Sequence, residues 1–178
     1  MTESNISYDK ALAYAHKLFT FRPRSEKELR ERLNRRGYNS AVIDRVITEY
    51  KQKGLLNDER FAKLWGLSRL QSKPSSLLKI KHELALKGID PQTTENVLGQ
   101  LKEDFDEYET AKALAEKRMR FLTRLDKLNP HTNLDRCKAG KVGVGVKAKK
   151  RLFDYLKRRG FSSDITYKVL NETFKDDA

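Results

Sequence analysis

A repeated frame of apolar residues and glycine constrains the fold of this 178-residue chain more than any other feature. In each copy, two apolar residues stand four positions apart, and a glycine follows four positions after the second. The three copies are Leu29-x3-Leu33-x3-Gly37, Ile80-x3-Leu84-x3-Gly88 and Leu152-x3-Leu156-x3-Gly160. The first two glycines are 51 residues apart and the last two are 72 apart, so the third copy contains an insertion of about 21 residues. Internal periodicity of this length is typical of repeat proteins.

The frame predicts two helices joined by a tight turn in each repeat. Apolar residues four apart lie on one face of a helix, and a glycine in the left-handed conformation ends a helix at low cost. The segment 25–28 has the capping-box pattern that starts the first of these two helices in the first repeat. Two residues after each glycine comes a side chain able to cap the next helix, namely Asn39, Asp90 or Ser162.

A further helix is predicted before each pair, at about 8–20, 57–71 and 106–123, and no stretch alternates apolar and polar residues as strands do. The predicted fold class is therefore all-α, with three tandem three-helix repeats. Because a repeat of this size buries little surface alone, we expect neighbours to stack in an elongated, curved array. The predicted repeats are 1–54, 55–104 and 105–178, the last with a basic, glycine-containing insertion at about 125–146.

The chain is strongly basic, with 38 Lys and Arg residues against 25 Asp and Glu residues and a formal net charge of +13. This charge predicts an anionic partner, such as nucleic acid, an acidic protein surface or a membrane face. Most of the excess lies on the middle helix of each repeat, whereas the helix after each turn is nearly neutral. A helix-turn-helix reader of DNA sequence carries its contact residues on the later helix, so that class is disfavoured. The densest basic run is 147–151, continued by 157–159.

The sequence contains no arrangement typical of catalysis or of metal binding. His16, His82 and His131 are far apart in the chain, and Cys137 is the one cysteine, so we expect a non-enzyme without cofactor or metal. The glycines of segment 140–147 lack the order of a phosphate-binding loop and are expected to form a flexible linker. Acidic residues at helical spacing from basic ones, such as the pair Glu28 and Arg32, are expected to pair at the surface.

Several features of the sequence indicate the cellular compartment in which the protein is expected. The single cysteine fits a reducing compartment, the amino-terminal residues are too polar for a signal peptide, and no apolar run is long enough to span a bilayer. We therefore expect a soluble, cytoplasmic protein with no membrane partner, and an elongated monomer.

The aromatic residues, including Phe61 and Trp65, are expected to pack in the core rather than to stack on bases.

Three motifs, in this order along the chain, resemble the RecX family: Arg22–Leu33 (RPRSEKELRERL), Gly54–Ala62 (GLLNDERFA) and Ile80–Ile89 (IKHELALKGI). The resemblance extends from about Ser7 to Phe174. It implies three tandem three-helix repeats and a regulator of the RecA recombinase, with roles in DNA repair, homologous recombination and the SOS response. RecX-like proteins bind in the helical groove of the RecA–DNA filament and bridge neighbouring protomers. They thereby restrain ATP hydrolysis, strand exchange and filament growth.

The most recognisable motif residues, such as Leu29 and Gly88, are expected at core or turn positions. The candidate contact residues are therefore basic residues predicted to lie at the surface. The partners that the resemblance implies are the RecA filament and single-stranded DNA, contacted directly or through RecA. The candidate partner- and anion-binding residues are Arg22, Arg24, Lys79, Lys81, Lys149, Lys150, Arg151 and Lys157.

Two other functions stay open at this point. A non-specific DNA- or RNA-binding helical protein that acts without RecA would carry the same charge, and its affinity would fall steeply with salt. A helical-repeat scaffold for some other acidic protein also fits the sequence. For the RecA regulator, inhibition is the expected direction of the effect.

Overall fold

A computed structural model of the chain describes residues 3–128 and 142–174, and the residues it describes form helices and no strand. This confirms the all-α repeat fold. Within these two ranges, no helix is both long and apolar enough to cross a membrane. The helices are α1 (Glu3–Phe21), α2 (Glu26–Arg35), α3 (Ser40–Gln52), α4 (Asp58–Ser72), α5 (Leu77–Leu86), α6 (Pro91–Glu103), α7 (Glu107–Leu128), α8 (Val142–Arg158) and α9 (Ser163–Thr173).

The chain packs into two compact units. One comprises Met1–Ser68 and Lys81–Leu101, and the other comprises Arg69–Ile80 and Lys102–Ala178. The first has a core between α1, α2 and α3, and the second has a core between α7, α8 and α9. The division passes through α4 and α5, so the compact units do not coincide with the three predicted repeats. The repeat boundaries after residues 54 and 104 stay predictions.

The apolar residues of the first and third copies of the repeat frame lie in these cores. Leu29 and Leu33 are completely buried in the first unit, as are Leu152 and Leu156 in the second. Residues four apart project from the same side of a helix, so each pair gives its helix one continuous apolar face. Full burial of a leucine side chain contributes about 1.5–3 kcal/mol. The frame therefore identifies the residues that hold the middle helix of a repeat in place.

The glycine of each frame ends its helix in the same way. Gly37 has φ of +80°, and its amide donates to the carbonyl of Asn34 at 2.9 Å. The next amide, that of Tyr38, donates to the carbonyl of Leu33 at 3.4 Å. This pair of bonds is a Schellman motif, which needs a left-handed residue that glycine adopts without a steric penalty. The same two bonds form at the other turns, those of Gly88 and Gly160.

The predicted helix caps form. The side chains of Asn39, Asp90 and Ser162 each accept a hydrogen bond from the amide three residues further on. Ser25 caps α2 by accepting from the amide of Glu28 at 3.3 Å. The second half of the capping box is replaced, because the Glu28 carboxylate binds basic side chains instead. Each cap satisfies an amide that the helix itself leaves unpaired.

The expected linker at 140–147 is wrong over most of its length, because α8 begins at Val142. Gly143 and Gly145 each disfavour a helix by about 1 kcal/mol relative to alanine. A helix that already exists gains one hydrogen bond for each residue added, and here that gain carries α8 backward through both glycines. Residues 129–141, with His131 and Cys137, lie outside the described residues.

Two aromatic residues of α4 have different environments. Phe61 is buried, as expected, and stacks on Trp65 with 5.8 Å between the ring centroids. Trp65 is only partly buried: its Nε1 donates to the Glu83 carboxylate at 3.0 Å, and the Lys87 ammonium lies 4.7 Å from the ring centroid. The expected core packing is thus confirmed for Phe61 and confirmed in part for Trp65, which packs on Phe61 but also makes polar contacts.

Candidate functional site

Consecutive middle helices meet end to end in a contact that we call a joint. In the first joint, Ser25 Oγ donates to the carbonyl of Lys87 at 2.7 Å, and Lys27 Nζ donates to the carbonyl of Leu86 at 3.1 Å. The amino-terminal end of α2 therefore supplies donors to the unpaired carbonyls at the carboxyl-terminal end of α5. A positive side chain at this end of a helix is also favoured by the helix dipole.

The second joint has the same chemistry within the second compact unit. The amide of Ser76, just before α5, donates to the carbonyl of Arg159 at 3.0 Å. Lys79 Nζ donates to the carbonyl of Arg158, and Arg159 returns a bond of 2.7 Å to the carbonyl of Pro74. Lys79, one of the candidate contact residues, therefore serves the packing of the chain itself.

The joints also explain which turn glycines are crowded. A Cβ on Gly88 would lie 2.7 Å from Lys27 Cβ, and one on Gly160 would lie 2.7 Å from Lys79 Cβ. The turn at Gly37 takes part in neither joint, and a Cβ on Gly37 would meet no atom within 4 Å. Gly88 and Gly160 thus need glycine for two reasons, the backbone angle and the close approach.

An ion cluster lies beside the first joint. Arg22 binds the Glu28 carboxylate with both guanidinium nitrogens, at 2.8 and 3.2 Å, and Lys87 Nζ binds it at 2.5 Å. Burial alone would raise the pKa of Glu28, but the hydrogen bonds from Arg22 and Lys87 outweigh burial and lower it. The expected pairing of Glu28 with Arg32 is wrong, because the carboxylate faces the joint. Arg22, a candidate contact residue, is committed to this cluster.

Two further candidate residues make polar contacts within the chain. Lys81 forms an ion pair with Glu95. Lys157 Nζ donates to the carbonyl of Phe161 at 3.2 Å and to Ser163 Oγ at 3.3 Å. Each of these lysines stays largely exposed, so the pairing leaves only part of its charge available for a partner.

Arg24 is half-buried, and its Nε has no hydrogen-bond acceptor among the described residues. Burial and the neighbouring charge of Arg22 both lower the pKa of Arg24. Its position just before α2 makes it part of the packing around the first joint rather than of an open surface.

Three consecutive candidates on α8 form the most available basic surface. Lys149, Lys150 and Arg151 are all exposed. Lys150 and Arg151 have no hydrogen bond or ion pair with the described part of the chain. Lys149 lies against an aromatic ring, since its Nζ is 5.2 Å from the ring centroid of Phe174. We call these three residues the α8 basic surface.

A groove between α8 and α9 adjoins the α8 basic surface. It has a volume of about 450 Å³. One wall carries an aromatic pair, with the ring centroids of Phe153 and Tyr167 5.3 Å apart and the rings tilted by 44°. Tyr167 is 57% exposed. We call this feature the α8–α9 groove; its lining is Lys149, Lys150, Phe153, Asp154, Tyr167, Leu170 and Asn171.

Sequence reasoning missed the aromatic wall, although the sequence contains a signal for it. In α9 the apolar positions shared with the other repeats are Ile165, Val169 and Leu170, and Tyr167 falls outside them. An aromatic residue off the apolar face of a helix is expected to face solvent. Among the described residues, no group of His, Cys, Asp and Glu side chains could hold a metal ion.

The chain is similar to several known proteins. The family model "RecX, first three-helix domain" matches residues 11–49, and "RecX, second three-helix domain" matches residues 57–98. A "Regulatory protein RecX" from Mycobacterium sp. (strain KMS) is 30% identical over 162 residues, which cover 91% of this chain and 80% of that protein. Another from Amycolatopsis mediterranei (strain U-32) is 27% identical over 169 residues, covering 95% and 86%.

A solved structure shows the same fold. The crystal structure of RecX from Lactobacillus salivarius superposes with a TM-score of 0.67 at 21% identity, over 94% of this chain and 97% of that one.

Proposed function

The chain belongs to the RecX family of regulatory proteins, and we propose that it binds the RecA–DNA filament and inhibits RecA. In this proposal the protein lies in the helical groove of the filament and contacts more than one RecA protomer. By holding neighbouring protomers together it restrains ATP hydrolysis, strand exchange and filament growth. It acts in the cytoplasm, in recombination and DNA repair, as a regulator rather than as an enzyme.

The observation that supports this proposal best is the α8 basic surface. Most of the other candidate cations are engaged within the chain: Arg22 with Glu28, Lys79 with a helix end, and Lys81 with Glu95. Lys150 and Arg151 have no such partner in the described part of the chain. Cations left without an internal partner are the ones that an anionic filament can bind without first breaking an ion pair.

The test is the single-stranded-DNA-dependent ATPase of RecA, measured against increasing amounts of this protein. We expect inhibition at less than one molecule per RecA protomer. A variant with Lys149→Glu, Lys150→Glu and Arg151→Glu should inhibit at least tenfold less strongly at the same concentration, because like charges then face the anionic filament.

A matched control separates the α8 basic surface from net charge. The changes Lys10→Glu, Lys17→Glu and Arg60→Glu reverse three exposed cations on α1 and α4 and remove the same total charge. This control should inhibit RecA only a few-fold less strongly than the unchanged protein, because a weaker long-range field slows its association but leaves the close contacts intact. Equal loss in both variants would contradict a specific role for α8, and an unchanged ATPase at stoichiometric amounts of the unchanged protein would contradict the proposal as a whole.

A second function is supported by the same surface. Exposed cations beside an exposed aromatic ring also suit a nucleic-acid-binding protein that acts without RecA. Strong binding to free single-stranded DNA, lost steeply with salt, together with no effect on RecA, would favour this function. A RecA effect that persists at a salt concentration where binding to free DNA is abolished would count against it.

A further inference from the structure

The α8–α9 groove combines two features that single-stranded nucleic acid uses. One is an exposed aromatic ring, that of Tyr167, and the other is a pair of cations, Lys149 and Lys150, that line the same groove. We propose that this groove binds single-stranded nucleic acid directly, with a base stacked on Tyr167 and the backbone phosphates next to Lys149 and Lys150. The proposal rests on the proposed function in one respect: the single-stranded nucleic acid is taken to be the DNA of the RecA filament. The test of the groove itself needs no RecA.

The Tyr167 ring is the stacking surface of the groove. It is 57% exposed, and Phe153 supports it on one side with 5.3 Å between ring centroids. A ring that contacts a neighbouring ring and is more than half exposed can serve as a platform on which a base stacks. Every base presents such a flat face, so a stacking platform binds single strands with little dependence on sequence.

Two lysines line the groove beside the aromatic pair. Lys149 and Lys150 precede Phe153 and Asp154 by four residues, so they line the same side of α8 one turn away. Lys150 has no ion pair with a described residue, and Lys149 contacts the Phe174 ring rather than a carboxylate of the described part of the chain. Each can therefore neutralise a phosphate and release a counterion.

The remaining groove residues favour nucleic acid over an acidic peptide. Asp154 would repel the carboxylates of an acidic peptide, whereas it can accept a hydrogen bond from an N–H donor on the edge of an unpaired base, such as the ring N–H of thymine. The Asn171 amide can donate to or accept from a base edge. Leu170, which is buried, forms an apolar floor. A duplex is disfavoured as the occupant, because its base faces are covered by neighbouring bases.

The experiment measures binding of a fluorescently labelled oligothymidylate by anisotropy, over a range of salt concentrations and without RecA. Tyr167→Ala should weaken binding by about tenfold and leave the slope of log affinity against log salt unchanged, because stacking releases no counterion. Tyr167→Phe keeps the aromatic face and should bind like the unchanged protein. Lys149→Ala with Lys150→Ala should reduce the magnitude of the slope by about 0.7 for each phosphate that the variant no longer neutralises.

Two controls keep the result specific. Phe21 lies at the end of α1 and is 74% exposed. Phe21→Ala therefore removes an exposed aromatic ring outside the groove, and it should leave the affinity for the oligonucleotide unchanged. Circular dichroism melting curves should show that every variant folds. The proposal is overturned if Tyr167→Ala binds like the unchanged protein, if Tyr167→Phe fails as Tyr167→Ala does, or if a duplex of the same length shows the same dependence on Tyr167.

A parallel RecA ATPase assay separates this proposal from the proposed function. Inhibition of RecA without any Tyr167-dependent binding to the oligonucleotide would overturn the groove proposal and leave the proposed function standing. Tyr167-dependent DNA binding without an effect on RecA would support the groove proposal and contradict the proposed function. Loss of RecA inhibition in Tyr167→Ala with unchanged DNA affinity would show that the groove binds protein, and would overturn the proposal.

Discussion

At the scale of single residues, equivalent positions of the repeat frame differ in how closely other residues pack against them. Gly37, Gly88 and Gly160 share a left-handed backbone, but only the last two lie against the preceding repeat. The sequence pattern predicts the backbone requirement at all three positions, because glycine recurs at the end of a helix. It does not predict the crowding, because the atoms concerned belong to residues about 60 to 80 positions earlier.

The first prediction compares Gly37→Ala with Gly88→Ala. Gly37→Ala should lower the free energy of unfolding by about 1–2 kcal/mol, the cost of a left-handed residue with a Cβ. Gly88→Ala adds a clash with Lys27 Cβ and should cost about 2–5 kcal/mol in total. Urea unfolding of each variant measures the difference. A decrease for Gly37→Ala as large as that for Gly88→Ala would show that the close approach at the joint has no energetic effect.

The second prediction concerns pH and the carboxylate of Glu28. Its pKa is lowered from an ordinary value of about 4.5, so its contribution to stability is complete above that value and is lost as the pH falls through the lower folded pKa. Glu28→Gln should therefore be less stable than the unchanged protein at pH 7, and this gap should close below about pH 4.5. Unfolding midpoints from pH 7 to pH 3 measure the gap.

Glu31→Gln is the matched control for Glu28→Gln. The Glu31 carboxylate lies on the surface of the same helix, 3.5 Å from Arg35, where an exposed pair contributes little. Its gap to the unchanged protein should be small at every pH. A gap for Glu28→Gln that widens as the solution becomes more acidic would contradict the assignment of the cluster.

At the scale of helices, the elements that could be predicted are those specified by neighbouring residues. Apolar spacing, caps and turn glycines all act within a few residues, and they place the middle and third helices of each repeat almost where the structure has them. The start of α8 could not be predicted in this way. Its glycines indicate a break, and only the cooperative extension of an existing helix overrides them.

The third prediction compares two serine caps. Ser25 caps α2 and also donates to the carbonyl of Lys87, whereas Ser162 Oγ only caps α9. Ser162→Ala should lower the free energy of unfolding by about 1 kcal/mol, the usual value of a cap. Ser25→Ala should cost about 1.5–3 kcal/mol because it also removes the hydrogen bond of the joint. Equal decreases, measured by urea unfolding, would show that the joint bond adds nothing to the cap.

The candidate site illustrates what sequence alone cannot provide. Eight cations were indicated by charge and motif, and the α8 basic surface contains those that are exposed and make no hydrogen bond or ion pair with the described residues. Whether a basic side chain is already bound within the protein depends on residues far away in the sequence. Lys79 binds a carbonyl 79 residues later, and Arg22 and Lys87 bind the same carboxylate. Such partners are brought together only by tertiary packing, so no local pattern reports them.

At the scale of the whole molecule, the net charge of +13 and the α8 basic surface act on different steps of binding. The charge of the entire protein attracts an anionic partner over about one Debye length, roughly 10 Å at 0.1 M salt, and raises the association rate. Close contacts set the dissociation rate, since they must break before the partner leaves. The two effects can therefore be separated by kinetics.

The fourth prediction uses the two charge-reversal variants, which have the same net charge. Both should associate with RecA filaments on single-stranded DNA several-fold more slowly than the unchanged protein, because both have a weaker long-range field. Only Lys149→Glu/Lys150→Glu/Arg151→Glu should also dissociate faster. Surface-based kinetic binding at low and moderate salt measures both rates. Equal dissociation rates for the two variants would place the close contacts elsewhere on the protein.

The joints determine which residues of such a sequence can be substituted without separating neighbouring repeats. Their accepting side consists of main-chain carbonyl oxygens at the end of a helix, such as those of Leu86 and Lys87, and every residue type supplies these atoms. The joint therefore restricts only the donor side and the glycine that allows the close approach. A lineage built on such joints can exchange nearly all of its surface residues, and so acquire new binding properties, while neighbouring repeats stay attached in the same way.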